Sequence, residues 1–342
     1  MTGVRRIAEA LLLGAACVPL LFSCAGREAV RPISPAGAAG AADFAGGSDA
    51  SGGSVHTVFP GTPLGENARA AMEEAKSGDP AKIRALLPYF ATEDNERLVR
   101  FVATLDARAV GPLLSALDDP DPGIAETAAG LLGELRAREA VPKLTDYLKS
   151  GRPRRYAAAW ALGEIKDPGS IPVLIASLSD GNPGVVKAST RALINIGKKA
   201  APPIIAALPA SSGAARKGML RALEDIEDTR AEDAILAVLD AEKDSAIRAA
   251  AARALSKCGT SRSFGPLTRW LEEGEAAVQV ECAWSLGILQ AKPAEGALRR
   301  TLENPDVDVR EWSARALENI TGDRILYRDA AGKMILPYNL YR

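Results

Sequence analysis

Between residues 170 and 197 the hydrophobic positions form two short helical patterns separated by a break. Ile171, Leu174 and Leu178 recur at helical spacing, Asp180, Gly181, Asn182 and Pro183 interrupt it, and Val186, Ser189, Leu193 and Ile196 resume it. Pro172 suits a first helical turn, and Gly197 suits a C-terminal cap. Two such helices cannot bury their own apolar face, so the pattern requires copies of itself on either side. The copies are present. With Leu193 as the reference position of the second helix, the matching residues are Val102, Leu132, Leu162, Leu193, Leu223, Leu255, Leu286 and Leu317, in steps of 30, 30, 31, 30, 32, 31 and 31 residues.

The surrounding text repeats as well. LLGEL at 131, ALGEI at 161, ALINI at 192, ALEDI at 222, SLGIL at 285 and ALENI at 316 fill one slot, while VGPLLSAL at 110, VPKLTDYL at 141, IPVLIASL at 171 and FGPLTRWL at 264 fill another. Over roughly residues 80–321 these segments resemble the HEAT repeat family, in the short form named after the phycobilisome-lyase HEAT-like repeats. The resemblance implies an all-α fold, a right-handed α-solenoid (superhelix) of about eight HEAT-like helix hairpins whose second helices line the concave side. It also implies a binding architecture more than a catalytic one. A further helix near 66–76 is expected to cap the first unit. Residues 324–328 and 333–336 alternate around Asp329, Ala330, Ala331 and Gly332, a hairpin signal, and Tyr327, Tyr338 and Tyr341 enrich this end in aromatic rings. A lid on the last repeat is the expected role, with a docking arm as the alternative.

Ahead of the repeats the pattern changes twice. Arg5 and Arg6 precede an apolar run from Ala10 to Phe22, which has the length of a signal-peptide core. The run ends in Leu21, Phe22, Ser23 and Cys24, which resembles a bacterial lipobox with Cys24 as the lipidated residue, although Phe22 is larger than usual there. Ala25 after the cysteine favours the outer membrane by analogy with lipoprotein sorting. The chain then runs through Gly, Ala, Ser and Pro, too little apolar surface to fold, so it reads as a tether spanning roughly 35 Å on average. The expected plan is a signal peptide over 1–23, a lipidated cysteine and tether over 24–65, the solenoid over 66–321, and a capping tail over 322–342.

Composition narrows the function. The formal charge is -1, with 42 basic against 43 acidic residues, so there is no global pull toward nucleic acid. The one histidine, His56, lies in the tether and cannot serve a triad in the repeats. No Cys/His set has metal-ligand spacing, and Gly130 and Gly133 lie within a repeat helix and form no phosphate loop. Carboxylate pairs such as Asp118 and Asp119 sit in turns, where solvation and helix capping account for them. Cys258 and Cys282 are expected as core residues, with a disulfide as the minority alternative. No catalytic residue, cofactor or metal is therefore expected.

The stronger signal is a row on the second helices. Two residues before the reference is about 200° of helical rotation, which points that position away from the core. Its occupants are Arg100, Gly130, Trp160, Arg191, Arg221, Arg253, Trp284 and Arg315. Eight units would present such a row over roughly 70 to 80 Å, and arginine and tryptophan are common interface anchors. Residues one turn away extend it into patches: Tyr156, Trp160 and Glu164; Lys187, Arg191 and Asn195; Lys217, Arg221 and Asp225; and an apolar set, Val280, Trp284 and Ile288. A second, basic patch gathers Lys149, Arg152, Arg154 and Arg155, with Arg136 and Arg138 in the preceding turn. The expected function is an exported, lipid-anchored scaffold or assembly factor that binds another protein of the cell envelope through the row. The partner-binding residues would be Tyr156, Trp160, Lys187, Arg191, Arg221, Arg253, Val280, Trp284, Ile288 and Arg315. The alternatives are a lyase-type enzyme subunit, by the family resemblance, and a spacer or cell-wall glycan binder with Tyr156 and Trp160 as its stacking platform.

Overall fold

A computed structural model describes residues 64–91 and 95–337. Those residues form an all-α solenoid. After a leading helix α1 (Glu66–Ala75), first and second helices alternate. The first helices are α2 (Pro80–Leu86), α4 (Ala107–Ala116), α6 (Val141–Lys149), α8 (Ile171–Ala176), α10 (Ala201–Ala207), α12 (Glu232–Ala241), α14 (Phe264–Glu273) and α16 (Glu295–Thr301). The second helices are α3 (Asn95–Leu105), α5 (Pro122–Glu134), α7 (Tyr156–Ile165), α9 (Pro183–Ile196), α11 (Gly213–Ile226), α13 (Ser245–Cys258), α15 (Ala276–Ile288) and α17 (Val307–Thr321). No helix among the described residues is long and apolar enough to cross a membrane. Cys24, the signal segment and the tether as far as residue 63, like Tyr338 and Tyr341, lie outside the described residues; the last tether positions, Leu64 and Gly65, already belong to the folded part.

The eight reference residues fall one to each second helix and are all essentially inaccessible. Each fully buried leucine contributes about 2 kcal/mol through the area it removes from water. The helix starts are written in the turns. Asp121, Asn182, Asp244 and Asp306 accept hydrogen bonds from the first backbone N–H groups of α5, α9, α13 and α17, and Pro122 and Pro183 follow two of them as the first helical residue. Gly197, at φ 76°, closes α9 with a backbone conformation that side-chain-bearing residues resist.

Adjacent second helices touch through small residues. A Cβ on Gly163 would lie 2.6 Å from Ala192 Cα, and one on Gly287 would lie 2.8 Å from Ala316 Cα. Gly133 meets Ala161 in the same way. All three glycines immediately follow a reference leucine, and each opposing alanine immediately precedes the next one, so the pattern repeats with the unit. In one unit Ser285 takes the alanine's position, and its Oγ donates to Ala252 O of the preceding second helix at 2.7 Å.

A second recurring contact was not expected from the sequence. Seven residues before the reference stand Arg155, Arg216, Arg248, Gln279 and Arg310. Arg216 and Arg248 donate to the carbonyls of Ser211 and Glu242 in their own hairpin turns, and Gln279 donates to Leu271 O at 2.9 Å. They also reach forward to the next unit: Arg155 to both oxygens of Asp180 at 2.7 and 2.8 Å, Arg216 to Glu242, Arg248 to Glu275, and Asn304 donates back to Gln279. Val186 occupies this slot in α9, which is why Val185 and not Val186 is the fully buried residue there.

At the last unit among the described residues Arg310 meets a hairpin and not another repeat. Its guanidinium donates to Arg328 O at 2.7 Å and to Asp329 O at 3.3 Å in a short antiparallel hairpin, β1 (Tyr327–Arg328) and β2 (Met334–Ile335), paired Tyr327 to Ile335 and Arg328 to Met334. Tyr327 is buried against α17 and donates to Glu311 at 3.2 Å. The hairpin therefore stands where another turn would stand in a longer array. At the other end Leu64, Ala68 and Ala75 of the α1 region are buried against the first unit.

Candidate partner-binding face

The row two residues before the reference runs along the second helices, but its members differ in how far they are already engaged. On α7, Trp160 is half-buried, with its ring lying over Gly133 of α5, where a Cβ would come within 2.7 Å of it. Tyr156, one turn earlier, donates its hydroxyl to Glu126 of α5, which also pairs with Arg154 at 2.6 Å. One turn later Glu164 accepts from Asn195 of α9 at 2.9 Å. The polar edges of this patch thus brace neighbouring repeats and leave the indole face of Trp160 as a partly open shelf.

On α9 and α11 the balance shifts. Lys187, Arg191 and Lys217 are exposed, and none forms an ion pair with another described residue. Arg221, 42% exposed, is held from its own helix by Asp225 at 3.3 Å and Glu224 at 3.7 Å. The next row member, Arg253 on α13, is only 22% exposed. Its Nε donates to Glu224 at 3.0 Å, and its guanidinium lies 3.9 Å from the buried Glu281. Arg253 therefore ties α11, α13 and α15 together.

The C-terminal part departs from the expectation of a wet apolar patch. Val280 is 3% exposed and belongs to the core. Trp284 packs edge-on against Trp312, centroids 5.2 Å apart at 80°. Ile288 alone of the three is open to solvent, at 40%. Arg315 lies 4.4 Å over the Trp312 ring and pairs with Glu311, leaving 19% of its side chain exposed. The physical reason is that the following helix brings Trp312 across this face. Rotation about one helix axis, which placed Val280 and Trp284 outward, takes no account of a neighbour's long side chain.

The basic turn is also consumed internally. Arg152 donates to Leu117 O at 2.7 Å and to Asp119 O, and its guanidinium lies 5.3 Å over the Tyr147 ring. Arg154 and Arg155 pair with Glu126 and Asp180. These arginines brace one unit against the next. Near the same turn, burial and the neighbouring charge of Glu164 push the Glu134 carboxyl above the ordinary carboxylate range. Cys258 and Cys282 are buried free thiols. Burial pushes the Cys258 thiol up to about 12 and Cys282 higher still, so neither is a nucleophile at neutral pH. Among the described residues no group of three or more His, Cys, Asp and Glu side chains is placed to hold a metal ion.

Helix hairpins stacked in one direction, joined by small-residue contacts and a recurring side-chain ladder, define a helical-repeat solenoid. A family model described as HEAT repeats matches residues 110–195, 152–208 and 201–278, so this stretch of the chain consists of repeats of the HEAT family. Solenoids of this family generally bind protein partners. Among solved structures, the chain is similar to the complex of CpcE and CpcF of phycocyanin lyase from Nostoc sp. PCC7120, at 22% identity over 44% of this chain and 99% of that one, with a TM-score of 0.42. It is also similar to human deoxyhypusine hydroxylase in complex with glycerol, at 19% identity over 75% and 99%, TM-score 0.33, and to an engineered protein at 21% identity over 74% and 84%, TM-score 0.38. No curated protein matches the sequence significantly.

Proposed function

We propose that this HEAT-repeat protein is an exported, lipid-anchored scaffold or assembly factor that holds a partner protein of the cell envelope against its second-helix face. The observation that carries the binding part is the contrast along one row. Arg253 is committed to neighbouring repeats and Arg315 to Glu311 and the Trp312 ring of its own helix, whereas Lys187, Arg191 and Lys217, on the two second helices that follow Trp160, stand exposed with no ion-pair partner among the described residues. Long charged side chains that brace nothing cost rotamer entropy when ordered, and a partner's complementary surface would offset it. By family geometry this face lines the concave side, where one partner can touch several repeats at once. The envelope location rests on Arg5 and Arg6, the apolar run to Phe22, and Cys24 at the end of a lipobox-like segment. A lipid on Cys24 would hold the solenoid at the membrane while the tether lets it stand clear.

In-cell crosslinking of the native protein followed by mass spectrometry tests the reading, with Cys24→Ala in parallel. The expected result is crosslinks from α9 and α11 to one protein of the envelope fraction, and loss of the Cys24→Ala variant from membranes. Crosslinks confined to first helices would sink the face assignment, and a variant still in the membrane fraction would sink the anchor.

A further inference from the structure

We infer that the centre of the second-helix face, on α7, α9 and α11, accepts an extended acidic segment of the partner that also carries an apolar or aromatic side chain; this rests on the protein-binding reading above. Trp160, Arg191 and Arg221 occupy equivalent positions on three successive second helices, and Tyr156, Lys187 and Lys217 occupy the equivalent positions one turn earlier. The block therefore has an aromatic side on α7 and a cationic side on α9 and α11.

The carboxylates facing it are accounted for. Glu126 takes Tyr156 and Arg154, and Glu164 takes Asn195. Glu224 and Asp225 hold Arg221, with Glu224 shared with Arg253. Three cations are thus left to a ligand, and the carboxylates fix where that ligand stops. At the far side of the block, Glu224 and Asp225 of α11 and the Glu281 behind Arg253 repel further negative charge, so the acids of the segment belong over Lys187, Arg191 and Lys217 and its apolar residue over Trp160. A flat anionic surface fits poorly, because it would meet Glu126, Glu164 and Asp225 together with the lysines.

The spacing specifies the segment. Neighbouring packed helices lie about 9 Å apart, and an extended chain advances roughly 3.3 Å per residue. Side chains about three residues apart therefore meet successive second helices. One aromatic residue followed by two acids at that interval spans the block in about seven residues.

The test is fluorescence anisotropy of the full-length protein with a labelled probe peptide, Trp-Gly-Ser-Glu-Gly-Ser-Glu, against the same peptide with both glutamates replaced by glutamine or by lysine. The glutamate peptide is expected to bind about tenfold or more tightly than the glutamine peptide, and to weaken as salt rises from about 50 to about 300 mM. The Lys187→Glu, Arg191→Glu, Lys217→Glu variant is expected to lose the glutamate peptide and gain the lysine peptide; Arg191→Ala alone should weaken binding several-fold with an unchanged thermal midpoint. Equal binding of the glutamate and glutamine peptides, binding unaffected by these substitutions, or anionic phosphatidylglycerol vesicles taken up through the same three residues in place of the peptide would overturn the inference. If cellular crosslinks from Arg191 reach a partner peptide without acidic residues, the acidic specificity falls and the protein-binding reading stands. If second helices crosslink to nothing while the probe peptide binds, the reverse holds.

Discussion

Gly163→Ala is the sharpest test of how the second helices are held together. The added methyl would lie 2.6 Å from Ala192 Cα and 2.8 Å from Ala192 Cβ, contacts that only a shift of α7 away from α9 can relieve. Backbone and a Cβ cannot rotate aside as a flexible side chain can, so overpacking here costs about 2 to 3 kcal/mol. Alanine's better helix propensity returns about 1 kcal/mol. The net expectation is a loss of about 1 to 2 kcal/mol, combining those two contributions. Gly130→Ala is the matched comparison, since a Cβ at Gly130 meets nothing within 4 Å and α5 is continuous through it. There only the propensity gain remains, about 0.5 to 1 kcal/mol in favour of the variant. Urea and thermal unfolding of both proteins against wild type should therefore move in opposite directions. A Gly163→Ala protein as stable as wild type would show that α7 and α9 are not packed this closely, and would refute the small-residue contact as the determinant of repeat spacing.

Three further outcomes follow from buried and paired groups. Burial raises the Asp180 carboxyl, but the Asn182 backbone N–H and the Arg155 guanidinium outweigh it and hold it below the ordinary value. Its contribution is thus present above the unfolded carboxylate pKa of about 3.9 and is lost as pH falls through the lower folded value. Arg155→Ala should lower stability at pH 7 by about 1 kcal/mol and flatten the acid limb of a stability-against-pH curve below about pH 4. Glu134 has the opposite sign: a folded pKa raised by burial and by Glu164 means that its charged form costs stability at neutral pH. Glu134→Gln should raise the midpoint at pH 7 by roughly 0.5 kcal/mol equivalent, with the difference gone below about pH 4, where both side chains are neutral. For the cysteines, a thiol reagent should leave native protein unlabelled and modify both Cys258 and Cys282 in urea; rapid native labelling would place one of them at the surface.

The periodic leucines carried the fold into view because burial of one residue per second helix is a local, repeated requirement, and Val102 through Leu317 meet it in phase. The turn chemistry was equally legible, since Asn182 and Pro183 act within their own segment. The ladder seven residues before each reference was not, because its pairs join residues 25 to 27 apart, such as Arg155 with Asp180 and Arg248 with Glu275. A recurrence of arginine at 216, 248 and 310, with acids at 180, 242 and 275, was the available signal. The row itself was read from rotation about a single axis. That reading suits Arg191, which is exposed, and misplaces Val280, which is 3% exposed. Arg253 shows the same limit, since its partners Glu224 and Glu281 lie on the helices to either side and enter only when helices are stacked.

The central claim is a division of labour between helix faces, with the second helices of the middle repeats meeting the partner and the first helices facing away from it. A photo-crosslinking amino acid placed at Arg191 on α9, and separately at the exposed Asp146 on the first helix α6, tests it in cells. One discrete crosslinked protein from position 191 and none from position 146 is the predicted result. The same partner captured from position 146, with position 191 silent, would contradict it.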